Sequence, residues 1–403
     1  MFQMNDPIFR IDGELIESHL IDKFNLRNFS RNLRFSYKKN SEVVNFVGFV
    51  IKDSDILVVL PKRYSNKEIL NRSDIELLFA VLLTDQIRNP QKYTGPVKEF
   101  DSSFPFHAFY SIYSYFKQYG LYKESEKITI SGYSGKISWK DTIKKSANII
   151  SEGNLIYLPL YVQETEDKHV FLSNCMAFAI SFTLRTFPYF VQGKEPVEKF
   201  NHFDFWNNRA YVVNRLKKIH TEVFKDTHKR LVKDLIDFFS NCPEGGSISI
   251  KHYNFELVWE SMVEEFLNGF FTGVNETGLH FSQKRHVNTP YKFNKAKYNV
   301  DKVHSQNRLE PDHYYLNNEV QFIFDAKYYF EVKGLNHKQV AYQTLLKKMA
   351  TKTHNALILP TDTENRTSIH FDLKEEYYDN EEDRVKIFEY YLNMKGVMEN
   401  YVK

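Results

Sequence analysis

The stretch LEPDHYYLNNEVQFIFDAKYY, residues 309–329, decides how the rest of the chain is read. Pro311-Asp312 has the composition of a turn, because proline presets φ and aspartate hydrogen-bonds nearby backbone. Val320, Phe322, Ile323 and Phe324 follow as a short apolar run, expected to form a buried strand. Asp325-Ala326-Lys327 stands at its end. Side chains alternate along a strand, so Asp325 and Lys327 share a face. Two carboxylates brought together by a turn, Asp312 and Asp325, are hard oxygen ligands of the kind Mg²⁺ takes, and the Ala326 carbonyl offers a third oxygen. A lysine beside them can orient a water, help it lose a proton, or offset charge growing on a phosphate. Ionisable residues at the end of a buried strand are costly unless they are used. The plainer alternative makes Asp312 a turn former and Asp325 with Lys327 a solvent-facing pair.

Upstream, FELVWESMVEEFL (255–267) has a helical pattern that sets Glu260 and Glu264 on one face at i, i+4 spacing. Either could complete an acidic centre, or both could be surface charge. Downstream, NHKQVAYQTLL (336–346) sets Gln339 and Tyr342 one turn apart, as site residues or as packing. Between His280 and Arg308 lie seven cations (Lys284, Arg285, Lys292, Lys295, Lys297, Lys302, Arg308) against one acid, Asp301. Phe281, Tyr291, Phe293 and Tyr298 interleave with them, a mixture suited to a phosphate backbone and exposed bases. A basic surface loop is the plainer alternative.

Further out, the pattern predicts a mixed α+β and α/β chain in three segments. Residues 1–122 read as a small α+β domain. Its apolar runs Phe46–Ile51 and Ile56–Leu60 flank a polar turn and end at Pro61, and a helical pattern over 66–88 includes Ile69. Phe106–Tyr122 reads as a helix. Residues 123–245 read as a strand-and-helix middle domain. It has a strand at Leu155–Val162, an amphipathic stretch at Phe171–Thr186 and one long helix over 209–240 with a basic outer face. Pro243-Glu244-Gly245-Gly246 is the breaker before residues 246–403. That segment reads as helix Phe255–Gly269, a strand ending near Asp312, strand Val320–Ala326, helix Asn336–Thr351, strand Ala356–Leu359 and a terminal helix Arg384–Met398. The order implies a mixed sheet flanked by helices.

Composition narrows the function classes. No run approaches the roughly 20 apolar residues a bilayer span needs, so no membrane partner is expected. MFQMNDPIFRIDGE lacks a basic start and an apolar run, so no secretory signal is expected. Cys175 and Cys242 are too few and too far apart for a disulfide framework or zinc site, which points to a cytoplasmic location. A net charge of +3 does not by itself argue for nucleic acid. The chain has no G-x-x-x-x-G-K-[ST] loop, so it is not expected to bind nucleotide itself.

Taken together, the Trp259-Glu260 helix, the Pro311-Asp312 turn, the FDAKYY strand and the Gln339/Tyr342 helix resemble the nuclease domain of McrC and of LlaJI-type restriction endonucleases, within the PD-(D/E)xK superfamily. GKISWKDTI (135–143) resembles the G-x-I-x-W-x-x-T-I element of that family, and VGFVIKDSDILVVLPKRY (47–64) resembles its opening hairpin. The resemblance implies a Mg²⁺-dependent endonuclease subunit of a bacterial anti-phage restriction system, with Mn²⁺ able to substitute. It acts on double-stranded DNA beside a separate McrB-like AAA+ NTPase. Asp312, Asp325, the Ala326 carbonyl and Glu260 are then the metal ligands, and Glu260, beside Trp259, fits the pattern better than Glu264. Lys327 is the catalytic cation. Lys284, Arg285, Lys292, Lys295, Lys297, Gln339 and Tyr342 are the expected DNA contacts. RecB-type nucleases space the glutamine and tyrosine four apart, whereas here they are three apart. The region before about residue 245 is expected to meet the NTPase. Two other functions fit the same residues: a non-cleaving subunit that stimulates the NTPase, and a RecB-type nuclease that needs DNA ends.

Overall fold

The computed structural model describes residues 5–64, 70–89, 100–188, 190–191, 193–196, 204–205, 207–243, 248–286 and 289–403. By contact the chain divides into two units, Met1–Phe104 with Pro243–Lys403, and Pro105–Cys242. This differs from the expected 1–122, 123–245 and 246–403 division, and the reason lies in one strand.

The apolar runs around residues 46–60 form antiparallel strands Val47–Lys52 and Asp55–Leu60, with Asp53 in the left-handed region at φ 56° in the turn. Ile8–Ile11 adds in parallel to the second strand. On the other side Ile248–His252 pairs with Val47–Lys52, and Phe100–Ser102 pairs beyond it. Gly48 lies against the Ile250 carbonyl, where a Cβ would clash, so the close approach requires glycine. A strand from after residue 243 thus sits inside the amino-terminal sheet and ties both ends of the chain into one unit. The helix expected over 66–88 is Arg72–Arg88. Asn71 and Asp74 close a capping box, with Asn71 Oδ1 accepting from Ser73 N at 2.8 Å and Asp74 Oδ2 from Asn71 N at 2.8 Å. Ile69 and Glu244–Gly246 lie outside the described residues.

The second sheet of this unit, among the described residues, runs His313–Leu316, Val320–Ala326, Lys352–Thr361, Lys386–Asn393, Arg366–Asp372. Val320–Ala326 pairs antiparallel with His313–Leu316 and parallel with Lys352–Thr361, which pairs parallel with Lys386–Asn393. Helices Glu256–Phe270, His337–Leu346 and Met394–Tyr401 accompany it. The mixed α/β class is therefore as read from sequence. Two details are corrected. The strand expected to end near Asp312 is only Arg308–Leu309, and the strand that pairs with Val320–Ala326 begins just after Asp312, at His313. The expected helix Arg384–Met398 is strand Lys386–Asn393 followed by helix Met394–Tyr401, because KIFEYYLN alternates buried with half-buried residues and is rich in aromatic strand formers.

In the other unit, Glu124–Ser131 and Tyr161–Lys168 make an antiparallel ribbon, with Lys136–Ile137 on its second edge. GKISWKDTI supplies that short strand and helix Trp139–Lys145. Ala147–Ser151 and Asn154–Leu158 form a hairpin. The single strand expected at Leu155–Val162 is interrupted at Pro159, which has no N–H to give a ladder. Phe106–Tyr119 and Phe171–Thr186 are helices. The long helix expected over 209–240 is two, Arg209–Glu222 and Asp226–Asn241, parted by extended Val223 and Lys225. Folding back lets Val212 and Leu216 bury beside Leu231 and Leu235, which one straight helix could not do. Arg215, Lys217, Lys218, Lys229, Arg230 and Lys233 are exposed, while Arg209 is half-buried and donates to Cys242 O. Among the described residues no helix is long and apolar enough to cross a membrane.

Candidate active site

The Val320–Ala326 strand is buried along nearly its whole length, and Asp325 at its end is fully buried. Antiparallel pairing sets His313 opposite Phe324, so the next row brings Asp312 against Asp325. Asp312 is 8% exposed. The two carboxyls share a hydrogen bond. Burial, with the Asp325 charge beside it, pushes Asp312 up to about 8. Burial alone would raise Asp325 too, but the bond from Asp312 and the amines of Lys327 and Lys338 outweigh it and hold Asp325 below its ordinary range. Two acids this close cannot both ionise cheaply.

Lys327 forms an ion pair with Asp325 Oδ2, and its backbone N–H donates to Ile358 O at 2.8 Å. The ladder therefore continues to the lysine, which keeps its side chain on the Asp325 face. Burial opposes the charge on Lys327, and Asp325 more than restores it. Ala326 is fully buried between them. Asp325 Oδ2 accepts no well-aligned hydrogen bond from the described residues despite the nearby amine.

Glu260 comes from the Glu256–Phe270 helix, whose Val258, Trp259, Met262 and Val263 are buried in the core and leave Glu260 half-buried. Lys295 Nζ lies 3.4 Å from Glu260 Oε2 and 3.7 Å from Asp312 Oδ1, so it bridges the two acids. Glu260, Glu264, Lys295 and Asp312 line a cavity of about 610 Å³. Glu264 therefore shares the cleft, while Glu260 is the acid linked to Asp312. Of the other expected basic contacts, Arg285 pairs with Glu265 and Lys297 with Glu310 at 3.7 Å, while Lys284 and Lys292 are exposed. Lys295 alone of these five reaches the acids. The loop is held on the sheet by Phe293, which is fully buried and stacks on Phe324 at 5.3 Å.

Gln339 is fully buried one turn into the His337–Leu346 helix, and neither amide atom has a hydrogen-bond partner among the described residues. Tyr342 packs in the core with Tyr314, Ile323 and Leu346. Lys338, which the sequence reading passed over, reaches the site: its Nζ lies 3.4 Å from Asp325 Oδ1 and 5.3 Å from the Tyr342 ring centroid. The amino-terminal sheet braces the exit of the Lys327 strand. Lys62 N donates to Tyr328 Oη at 2.8 Å, Lys62 Nζ to Tyr328 O at 3.3 Å, and Arg63 Nη2 to Phe330 O at 2.8 Å. Buried Asp12 accepts from the Tyr328 hydroxyl and lies 3.7 Å from Lys62 Nζ.

The donor set suits a hard divalent ion. Two buried carboxylates lie side by side, and one oxygen, Asp325 Oδ2, has no aligned hydrogen-bond donor among the described residues, which leaves lone pairs that a hard cation can take. Among the described residues no three His, Cys, Asp or Glu side chains form a ready-made metal cage. Mg²⁺ needs none, since one or two carboxylates with water and phosphate suffice, whereas structural zinc wants four nitrogen or sulfur ligands.

The fold and site define a mixed α/β protein with an acidic centre of two aspartates and a lysine at the end of a buried strand. The model of the LlaJI restriction endonuclease family matches residues 46–379, most of the chain. The protein belongs to that family. No curated protein matches it. Among solved structures, an assembly of Thermococcus gammatolerans McrB AAA+ hexamers with bound McrC contains a chain that is 12% identical, with 98% of each chain covered and a TM-score of 0.39. A chain of the Thermococcus gammatolerans McrBC complex is also 12% identical, over 64% of this protein and 88% of that chain, at a TM-score of 0.26.

Proposed function

We propose that this chain is the endonuclease subunit of a bacterial restriction system and hydrolyses phosphodiester bonds of double-stranded DNA by PD-(D/E)xK chemistry. The observation that carries the reading is the contact of Asp312, Asp325 and Lys327 at the end of one strand. Asp312 and Asp325, with Glu260 and the Ala326 carbonyl, would hold Mg²⁺ or Mn²⁺. When bound, the ion supplies Lewis acidity at the phosphate and eases deprotonation of an attacking water. Lys327, fixed against Asp325, offsets the charge that grows on the phosphate oxygens. Gln339, a buried amide without a hydrogen-bond partner among the described residues, follows Lys338 on the same helix and would orient water or a phosphate oxygen. Lys295 would bring one cation of the basic loop to the strand being cut.

The sequence resemblance to McrC adds a separate AAA+ NTPase partner, met through the region before about residue 245. One feature of that region favours a macromolecular partner. The hairpin Ala147–Ser151 and Asn154–Leu158 leaves apolar pairs exposed on both faces, Ile150 with Leu155 on one and Ile149 with Ile156 on the other, between 41% and 79% exposed. The work of this chain is cytoplasmic on this reading, and nucleotide is hydrolysed by the partner.

The test is a closed-circular plasmid beside a linear one, in Mg²⁺, with the cognate NTPase and nucleotide. Cutting of the circle supports an endonuclease. Cutting of the linear DNA alone would favour the end-dependent, RecB-type reading. Nucleotide hydrolysis stimulated without cutting of either would favour the regulatory-subunit reading.

A further inference from the structure

Three lysine amines surround the acids, and they differ in how tightly they are held. Lys327 is 14% exposed and sits hard against Asp325. Lys295 and Lys338 are about half exposed, at 47% and 48%, and stand 3.4 Å or more from their acids. Charge-assisted hydrogen bonds run at roughly 2.7–2.9 Å, so these two are loosely held counter-ions. Lys295 stands over Glu260 and Asp312, and Lys338 over Asp325. The position of Lys338 is fixed by its helix. Asn336 caps the first turn, accepting from Gln339 N at 3.2 Å, and the Tyr342 ring lies one turn on at 5.3 Å from the amine.

On the reading that this centre cuts DNA, we propose that Lys338 is an exchangeable cation. It neutralises Asp325 while the carboxylates lack a divalent ion, and moves to a non-bridging phosphate oxygen of the DNA once an ion takes them. A divalent ion and an ammonium cannot both stay on the same carboxylate oxygens without repulsion. The Lys338 side chain is 48% exposed, so the freed amine can swing to a phosphate presented from solvent. Lys327 cannot play this part, because it is enclosed and fixed by the strand. Lys338 is thus both a competitor of the metal and a contact of the DNA backbone.

The test uses the full chain with Lys338→Met and Lys338→Arg. Mn²⁺ affinity is read by electron paramagnetic resonance, and affinity for a short duplex is read in Ca²⁺ across a salt series. Lys338→Met should bind Mn²⁺ about twofold to fivefold more tightly, the range for losing a half-exposed ion pair. Its duplex affinity should fall, with a salt slope smaller by about 0.9, the loss of one phosphate contact. Lys338→Arg should keep the slope. Mn²⁺ affinity that is unchanged or weaker in Lys338→Met, or an unchanged salt slope, overturns the proposal. Those failures leave the nuclease reading standing as long as wild type binds Mn²⁺ and Asp325→Ala does not. Absence of Mn²⁺ binding in wild type overturns both.

Discussion

Replacing Lys327 with methionine removes the cation paired with Asp325 and keeps most of the side chain's bulk. In the metal-free protein, Asp325 is then a fully buried carboxylate beside Asp312, with only the looser Lys338 amine at 3.4 Å. Breaking a buried pair by removing one partner costs roughly 3–5 kcal/mol, and the remaining lysine brings the expected loss to about 2–3 kcal/mol. Urea unfolding in EDTA, followed by the fluorescence of buried Trp259, measures it. Mg²⁺ should narrow the gap, since the ion returns positive charge to the acids and the variant gains more from it than wild type. The double variant Lys327→Met/Asp325→Asn should recover most of the stability in EDTA, because no buried charge is left alone. DNA cutting should stay abolished in both. If Lys327→Met unfolds in EDTA at the same urea concentration as wild type, the pair carries no such energy and the electrostatic account of the site is wrong.

Other outcomes follow from the same geometry. The Asp312 carboxyl is raised to about 8, so the folded chain keeps a proton that the unfolded chain sheds near 4. Metal-free stability should therefore fall as pH rises from about 4 to 8. Asp312→Asn, which has no charge to gain, should flatten that slope in urea titrations at pH 5 and pH 8; an unchanged slope would point to other groups. Tyr328→Phe leaves Asp12 buried without its hydroxyl donor and should cost about 1–3 kcal/mol, measured by urea unfolding, and lower cutting by releasing the strand exit behind Lys327. Ile150→Asp, at a residue 79% exposed, should leave the unfolding curve unchanged while weakening NTPase-dependent cutting; full cutting would move the partner surface elsewhere.

Much of the fold was legible where local chemistry and tertiary context agree. The Val320–Ala326 strand matched its expected limits, because an apolar run bounded by turn residues has few other solutions. The helical pattern over 66–88 gave the end of its helix, Arg88, while the start lies at the Asn71 capping box. What escaped were features made by distant pairing. Ile248–His252 joins Val47–Lys52 across some 200 residues, and no local period announces it. Lys386–Asn393 follows an acidic stretch, and its FEYYL core suits a helix as well as a strand until neighbours are known.

In the site, the Asp312, Asp325 and Lys327 grouping was read from a turn and a strand, both local devices. Lys338 was missed, since one lysine in the first turn of a helix looks like any solvated charge until the strand beside it is placed. The Lys62 brace on Tyr328 spans 266 residues and has no sequence signature at all. Lys295 stood among seven basic residues, and its segment is held near the acids by the stacking of Phe293 on Phe324 and the pairing of Asn294 with Tyr314.

The most direct measurement is cutting of closed-circular plasmid by wild type and Asp325→Ala, each purified alike and supplied with Mg²⁺, the cognate NTPase and nucleotide. Cut DNA from wild type, none from Asp325→Ala and none in EDTA is the predicted result. Equal cutting by the two proteins, or none by either while nucleotide hydrolysis is stimulated, would contradict it.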